Sequence, residues 1–195
     1  MKEQNVSQKA LGFVFKFINR SILYVRGGWL KVKIISLGGK CLGIPKVGAG
    51  VVWKYPPHTG ISFSKGIDVG PGCYFDIPPQ GILVVGNNVK MTGNIYISSI
   101  RRVEIGDDSL IAEQCSIRDS EHLTSTEEVI RRQSVISGEI LIGEDVWLCK
   151  GVTVLRGAII SKGTVLGAHS LIKNQETEIN SIYAGTPARK VKGRR

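Results

Sequence analysis

His122 is one of three histidines in the 195-residue chain, and it stands in a strongly polar stretch, RDSEHLTSTEEVIRRQSVISGEIL, residues 118–141. An imidazole has a reference pKa near 6.5, so it can take up a proton near neutrality and return it, as a general base does. Asp119 and Glu121 lie just before it. Either carboxylate can orient the ring or stabilise its charged form. Asp119 is the preferred candidate, weighed against the plainer reading of an aspartate that forms a turn. His58, in YPPHTG, reads as an exposed turn residue. His169 is expected to face solvent or a neighbouring subunit. The three histidines are separated by 64 and 47 residues, which supplies no close pair of ligands, and no metal site is expected. Cys41, Cys73, Cys115 and Cys149 form no CxxC pair, which argues against a zinc knuckle or a thiol redox centre. They read as small buried hydrophobes with free thiols.

The elements that must position His122 follow from a period of six. Ile142, Leu148, Val154, Ile160, Leu166 and Ile172 keep that step without a slip. Val85, Met91 and Ile97 keep it earlier, and Ile105, Ile111 and Ile117 resume it after a shift of two residues. A small or apolar residue often stands two positions before each of these, as at Leu83, Val89, Ile95, Ser109, Cys115, Val152 and Ala158. Two inward residues flanking one outward residue describe a very short strand. Six residues then make one flat side of a coil, and stacked coils bury a shared apolar column that no single coil could bury alone. Each inward aliphatic group contributes roughly 1.5–3 kcal/mol. The expectation is a parallel β-helix of triangular coils, interrupted by the excursion at 118–141, a usual location for function on a regular scaffold.

Ahead of the repeat, Leu11, Val14, Ile18, Ile22 and Val25 recur at three- and four-residue steps, which predicts a helix over 9–26, stopped by Gly27-Gly28. Lys9, Lys16 and Arg20 break its apolar runs well short of a membrane span. The helix reads either as a cap on the open end of the solenoid or as a basic amphipathic segment resting on a membrane. The expected division is an N-terminal helical segment, 1–30, and a β-helix domain, 31–192.

The formal charge is +10 and the pI about 9.6, which points to an acidic partner such as a nucleotide-bearing cofactor or an anionic membrane. Nucleic acid is disfavoured, because aromatics make up 7% of the chain and do not cluster with the basic residues as a stacking platform would. The N-terminus lacks a secretory pattern, so a cytoplasmic chain with reduced thiols is expected, peripheral to the membrane if residues 9–26 touch it.

The six-residue register and the closing segment IYAGTPARKVKG, 182–193, resemble the hexapeptide-repeat acyltransferases, and the resemblance spans about residues 60–192. It implies an all-β, left-handed parallel β-helix with an N-terminal helix and an excursion loop. Chain physics alone would favour right-handed crossovers. In members similar to the maltose and galactoside acetyltransferases, a catalytic histidine opens such an excursion about 20 residues before the next Ile-Gly repeat, and His122 stands at that distance from Ile142-Gly143. The implied chemistry is acetyl transfer from acetyl-CoA to a sugar hydroxyl, as in surface polysaccharide biosynthesis. His122 would remove the hydroxyl proton, a contribution of typically 10²–10⁴-fold.

The same resemblance places the cofactor. Trp147 matches the tryptophan of the family's V-W-I-G repeat, and Lys173, Arg189 and Lys192 match its basic residues near the end. Gly151 and Gly167, with Gly157 and Gly163, offer close approach to a pantetheine arm. No metal is implied. A homotrimer is implied, with sites between adjacent subunits. Three departures leave the acceptor open: Cys149 stands where the family has glycine, Thr92 (with Asn94 nearby) where the maltose-type enzymes hold the acceptor with an asparagine, and Arg118 where they have a tyrosine. Alternatives are another small acceptor, namely an antibiotic, serine or a nucleotide-linked amino sugar, or a non-catalytic interaction protein.

Overall fold

The computed structural model describes residues 2–194, with side chains from residue 11 onward. It is a parallel β-helix of stacked coils preceded by one long helix, α1 (Lys2–Ser36). The helix does not stop at Gly27-Gly28 as the sequence pattern predicts. A Cβ at Gly27 would lie 1.7 Å from the carbonyl oxygen of Pro45, so this glycine lets the helix pass directly against the first coil. The packed face carries Leu23, Gly27, Leu30 and Ile34, with Leu30 and Ile34 buried. The face predicted from Leu11, Val14, Ile18, Ile22 and Val25 points instead into solvent, where Leu11 is 74% exposed and Val25 73%.

From Lys40 onward the chain winds through three parallel sheets, one for each side of a triangular prism. Register partners stack in straight columns. The first side stacks Cys41, Phe63, Val85, Ile105, Ile142 and Ile160. The second stacks Val47, Val69, Met91, Ile111, Leu148, Leu166 and Tyr183. The third stacks Trp53, Phe75, Ile97, Ile117, Val154 and Ile172. Every six-step residue named from sequence is buried, as is every one of its small or apolar companions. The two-residue shift between Ile97 and Ile105 is an enlarged corner, Ser99–Arg102, joining strands Tyr96–Ser98 and Val103–Ile105. Strands Ser181–Ala184 and Arg189–Gly193 fold back antiparallel and close the far end.

Candidate active site

The excursion leaves the solenoid at the corner between the third and first sides. Strand Ser116–Arg118 ends, Asp119 turns inward, and the chain rises as a hairpin of strands Ser120–His122 and Val135–Ser137. Alternation along this hairpin sends His122 and Glu121 to opposite faces. The far part of the excursion is braced by Gln133, whose amide accepts from Ser125 N–H at 2.8 Å and donates to the carbonyls of Ser125 and Glu128 at 2.8 and 2.6 Å. The His122 side chain is exposed, opposite Val135.

Asp119 finds its hydrogen-bond partners in the coil below rather than in the imidazole. Its side chain is fully buried. Oδ1 accepts the N–H of Ile100 at 2.8 Å, and Oδ2 accepts those of Arg101 and Arg102 at 2.7 and 2.9 Å. The Ser99 hydroxyl lies 3.3 Å from Oδ2 and donates to the Ile82 carbonyl at 2.7 Å. The carboxylate therefore ties the root of the hairpin to the enlarged corner of the coil below, whose N–H groups have no sheet partner. Against the expectation that Asp119 orients His122, its carboxylate is buried and engaged by three backbone donors of the coil, and it has no hydrogen bond to the imidazole among the described residues.

Glu121 fixes the other side of the root. Its Oε2 accepts from Arg156 Nε at 2.8 Å and from Lys173 Nζ at 2.7 Å. Burial by itself would raise this carboxyl, but the hydrogen bonds and charges of Lys173 and Arg156 outweigh it and hold the group below its ordinary value. Lys173, expected to reach a cofactor phosphate, is thus paired within its own chain.

The remaining cofactor candidates spread over the second side and its corners. Trp147 is 46% exposed on the outer face of the second side. Cys149 packs against the core and accepts the Cys115 thiol through its carbonyl at 3.1 Å. Burial pushes that Cys115 thiol up to about 11, as expected of an inert packing residue. Gly151 takes φ +68° at the corner between the second and third sides, and a Cβ there would lie 2.5 Å from Nδ1 of His169. Gly167 lies where a Cβ would be 3.1 Å from that of Ala184. Arg189 and Lys192 are exposed on the closing strand. A groove of about 550 Å³ crosses the outer face of the first side between Val84 and Ile159, and none of these residues lines it. One chain does not gather them around His122.

Thr92 and Asn94 stand at the corner that opens the third side, whereas the hairpin leaves from the corner that closes it. The intervening strand spans roughly 10 Å. The Thr92 hydroxyl is buried without a hydrogen-bond partner. Arg118 lies at the hairpin end of that side, its guanidinium 4.2 Å from the centroid of the Tyr96 ring. Tyr96 stacks on Tyr74 at 5.2 Å and donates its hydroxyl to Asp76 at 3.0 Å. Lys54 pairs with the same Asp76 oxygen at 2.9 Å. The sequence reading missed this polar ladder. Its signal was the recurrence of Tyr74, Tyr96 and Ser116 at one outward position, visible once the coils are laid in register. His58 is also not the exposed turn residue expected. It is half-buried, accepts from Gly60 N–H through Nδ1 at 3.1 Å, and sits 3.3 Å from the Ile77 carbonyl through Nε2.

No family model matches the chain. A stretch of 62 residues is 34% identical to WbbJ of Escherichia coli (strain K12), named for O-acetyl transfer in lipopolysaccharide biosynthesis; the match covers 32% of each protein, so the chain spans about a third of the length of this curated relative. Among solved structures, AntD, an N-acyltransferase from Bacillus cereus in complex with dTDP and 3-hydroxybutyryl-CoA, superposes with TM-score 0.64 at 17% identity, over 85% of this chain and 88% of that one. A hexapeptide-repeat acetyltransferase from Vibrio cholerae O1 biovar eltor, complexed with acetyl coenzyme A, gives TM-score 0.59 at 19% identity over 90% and 88%. The polysialic acid O-acetyltransferase OatWY gives 0.59 at 22% over 77% and 74%. With its buried six-residue columns and its single polar excursion, the chain has the fold of the hexapeptide-repeat acetyltransferases.

Proposed function

We propose that this protein is a coenzyme A-dependent O-acetyltransferase that transfers acetyl from acetyl-CoA to a sugar hydroxyl of a surface polysaccharide or its lipid-linked precursor. The observation that carries this reading is an exposed imidazole raised on a hairpin whose root is pinned on both sides, by Asp119 and by Glu121. The same fold holds coenzyme A or an acyl-CoA in its solved neighbours. His122 takes the proton of the acceptor hydroxyl as the oxygen attacks the thioester carbonyl. The tetrahedral intermediate then collapses, the C–S bond breaks, and the imidazolium returns the proton to the departing thiolate. The cofactor residues proposed on the second side and its corners, Trp147, Gly151 and Gly167, lie away from the corner of the prism that carries His122. A homotrimer that sets the His122 hairpin of one subunit against the second side of its neighbour would bring the two together.

A second acceptor class has one observation in its favour. Arg118 lies beside the hairpin with no carboxylate partner among the described residues, where it could meet the phosphates of a nucleotide-linked amino sugar. Thiol release from acetyl-CoA, followed colorimetrically over a panel of sugars and nucleotide-linked sugars, separates these readings. His122→Ala should fold normally and lose turnover by about 10²–10⁴-fold. Full turnover in the folded variant would exclude the mechanism.

We also propose that α1 lies on an anionic membrane surface. It carries Lys2, Lys9, Lys16, Arg20, Arg26, Lys31 and Lys33 against the single acid Glu3, so six of the ten surplus charges reside there. Leu11, Val14, Ile18, Ile22, Val25 and Trp29 form an exposed stripe on one face. Among the described residues no helix is long and apolar enough to cross a membrane.

A further inference from the structure

Where α1 crosses the open end of the solenoid, it leaves a cavity of about 660 Å³ between itself and the first coil. That volume is within the usual range for a small-molecule site. Its wall is mostly apolar, with Leu30 from the helix and Val47, Val51 and Trp53 from the coil. Three cations line it as well: Arg26 and Lys33 on α1 and Lys54 on the coil. Lys54 is paired with Asp76, whereas Arg26 and Lys33 have no carboxylate partner among the described residues. Trp53 presents part of its ring to this wall, while its indole N–H is closed off from solvent and so makes no contribution to the cavity surface. An apolar cleft lined by two exposed cations that have no carboxylate partner among the described residues is complementary to an amphiphile bearing an anionic head.

Two placements make that amphiphile a membrane lipid. Arg26, Trp29, Leu30 and Lys33 follow three- and four-residue steps on one side of α1, and Trp29 belongs both to the cavity wall and to the exposed apolar stripe. The chamber therefore adjoins the surface proposed to rest on the bilayer. In the other direction, Lys54 begins the ladder Lys54–Asp76–Tyr96–Arg118 on the outer face of the third side. That ladder climbs three strand spacings, roughly 14 Å, to the root of the His122 hairpin.

We propose that this cavity binds the phosphate head and first tail segment of a lipid phosphate that carries the acceptor sugar, with the glycan running up the ladder toward His122. The proposal rests on the acyltransferase reading for its purpose, but binding can be measured without turnover. The probe is geranyl phosphate, titrated calorimetrically into the full-length protein beside inorganic phosphate and geraniol. Geranyl phosphate should bind at least 100-fold more tightly than either control. Arg26→Glu/Lys33→Glu should weaken it at least tenfold, and Ala49→Trp, which projects from the exposed lining residue Ala49, should obstruct it. Circular dichroism and thiol release with a water-soluble acceptor should be unchanged in these variants. Failure of geranyl phosphate to bind, equal binding of either control, or full affinity in the charge-reversed protein would overturn the proposal. Absence of turnover in a wild-type protein that binds geranyl phosphate would instead count against the acyltransferase reading.

Discussion

Replacement of Asp119 tests the division of labour at the base of the hairpin. Its carboxylate accepts three backbone N–H bonds of 2.7–2.9 Å from Ile100, Arg101 and Arg102 and is fully buried. A hydrogen bond to a charged acceptor contributes roughly 1.5–3 kcal/mol, and such terms within one cluster do not add in full. Asp119→Ala removes both acceptor oxygens, and with them three hydrogen bonds, while leaving the donors in a corner with no sheet partner, so the loss should be on the order of 3–5 kcal/mol. That is a large part of a typical domain stability of about 5–15 kcal/mol. Asp119→Asn keeps the shape but turns an amide N–H₂ toward backbone N–H groups, and should lose roughly half as much. Urea unfolding followed by circular dichroism reads this directly. With a slope near 2 kcal/mol/M, the alanine variant's midpoint should fall by roughly 2 M. Any fall in turnover should follow the fraction folded. An unchanged midpoint accompanied by lost turnover would refute the structural assignment and restore Asp119 as the partner of His122.

Three further outcomes are expected. Glu121→Gln should cost about 1 kcal/mol at neutral pH, since its two bridges are partly solvated. Because the folded carboxyl is held below its ordinary value, the wild-type advantage should be complete above about pH 5 and disappear as pH falls through and below about 4; urea midpoints at several pH values check this, and an advantage that grows on acidification would contradict the pairing. Gly27→Ala should raise the propensity of an isolated helix by about 1 kcal/mol, yet loosen α1 here, because the new methyl would meet the Pro45 carbonyl; faster limited proteolysis of the helix is the readout, and unchanged protection would contradict the close approach. Leu11→Asp/Val14→Asp/Ile18→Asp lies on the exposed stripe, so folding should be unaffected while flotation with anionic vesicles is lost; undiminished flotation would remove the membrane contact.

The period of six was legible because it is local. Ile142, Leu148, Val154 and their fellows must each face inward whatever lies above or below, so their spacing alone declares stacked three-sided coils. The excursion was legible for the complementary reason, as a polar stretch that no inward column could accommodate. The roles of Asp119, Glu121 and Lys173 were not. The carboxylate of Asp119 finds its donors in a corner 17 to 19 residues earlier, and that of Glu121 meets cations 35 and 52 residues later. Which corners lie in contact depends on how many residues each coil spends turning, and the two extra residues near Ser99–Arg102 are what bring those N–H groups under Asp119. The same holds for Gly27, which sequence read as a stop because isolated helices end at paired glycines. Only the approach of Pro45 turns the missing side chain into a contact. The sequence by itself determined which side chains face the shared core; the stacking decided which polar groups meet, because their partners are fixed by coil register across distances that no local pattern records.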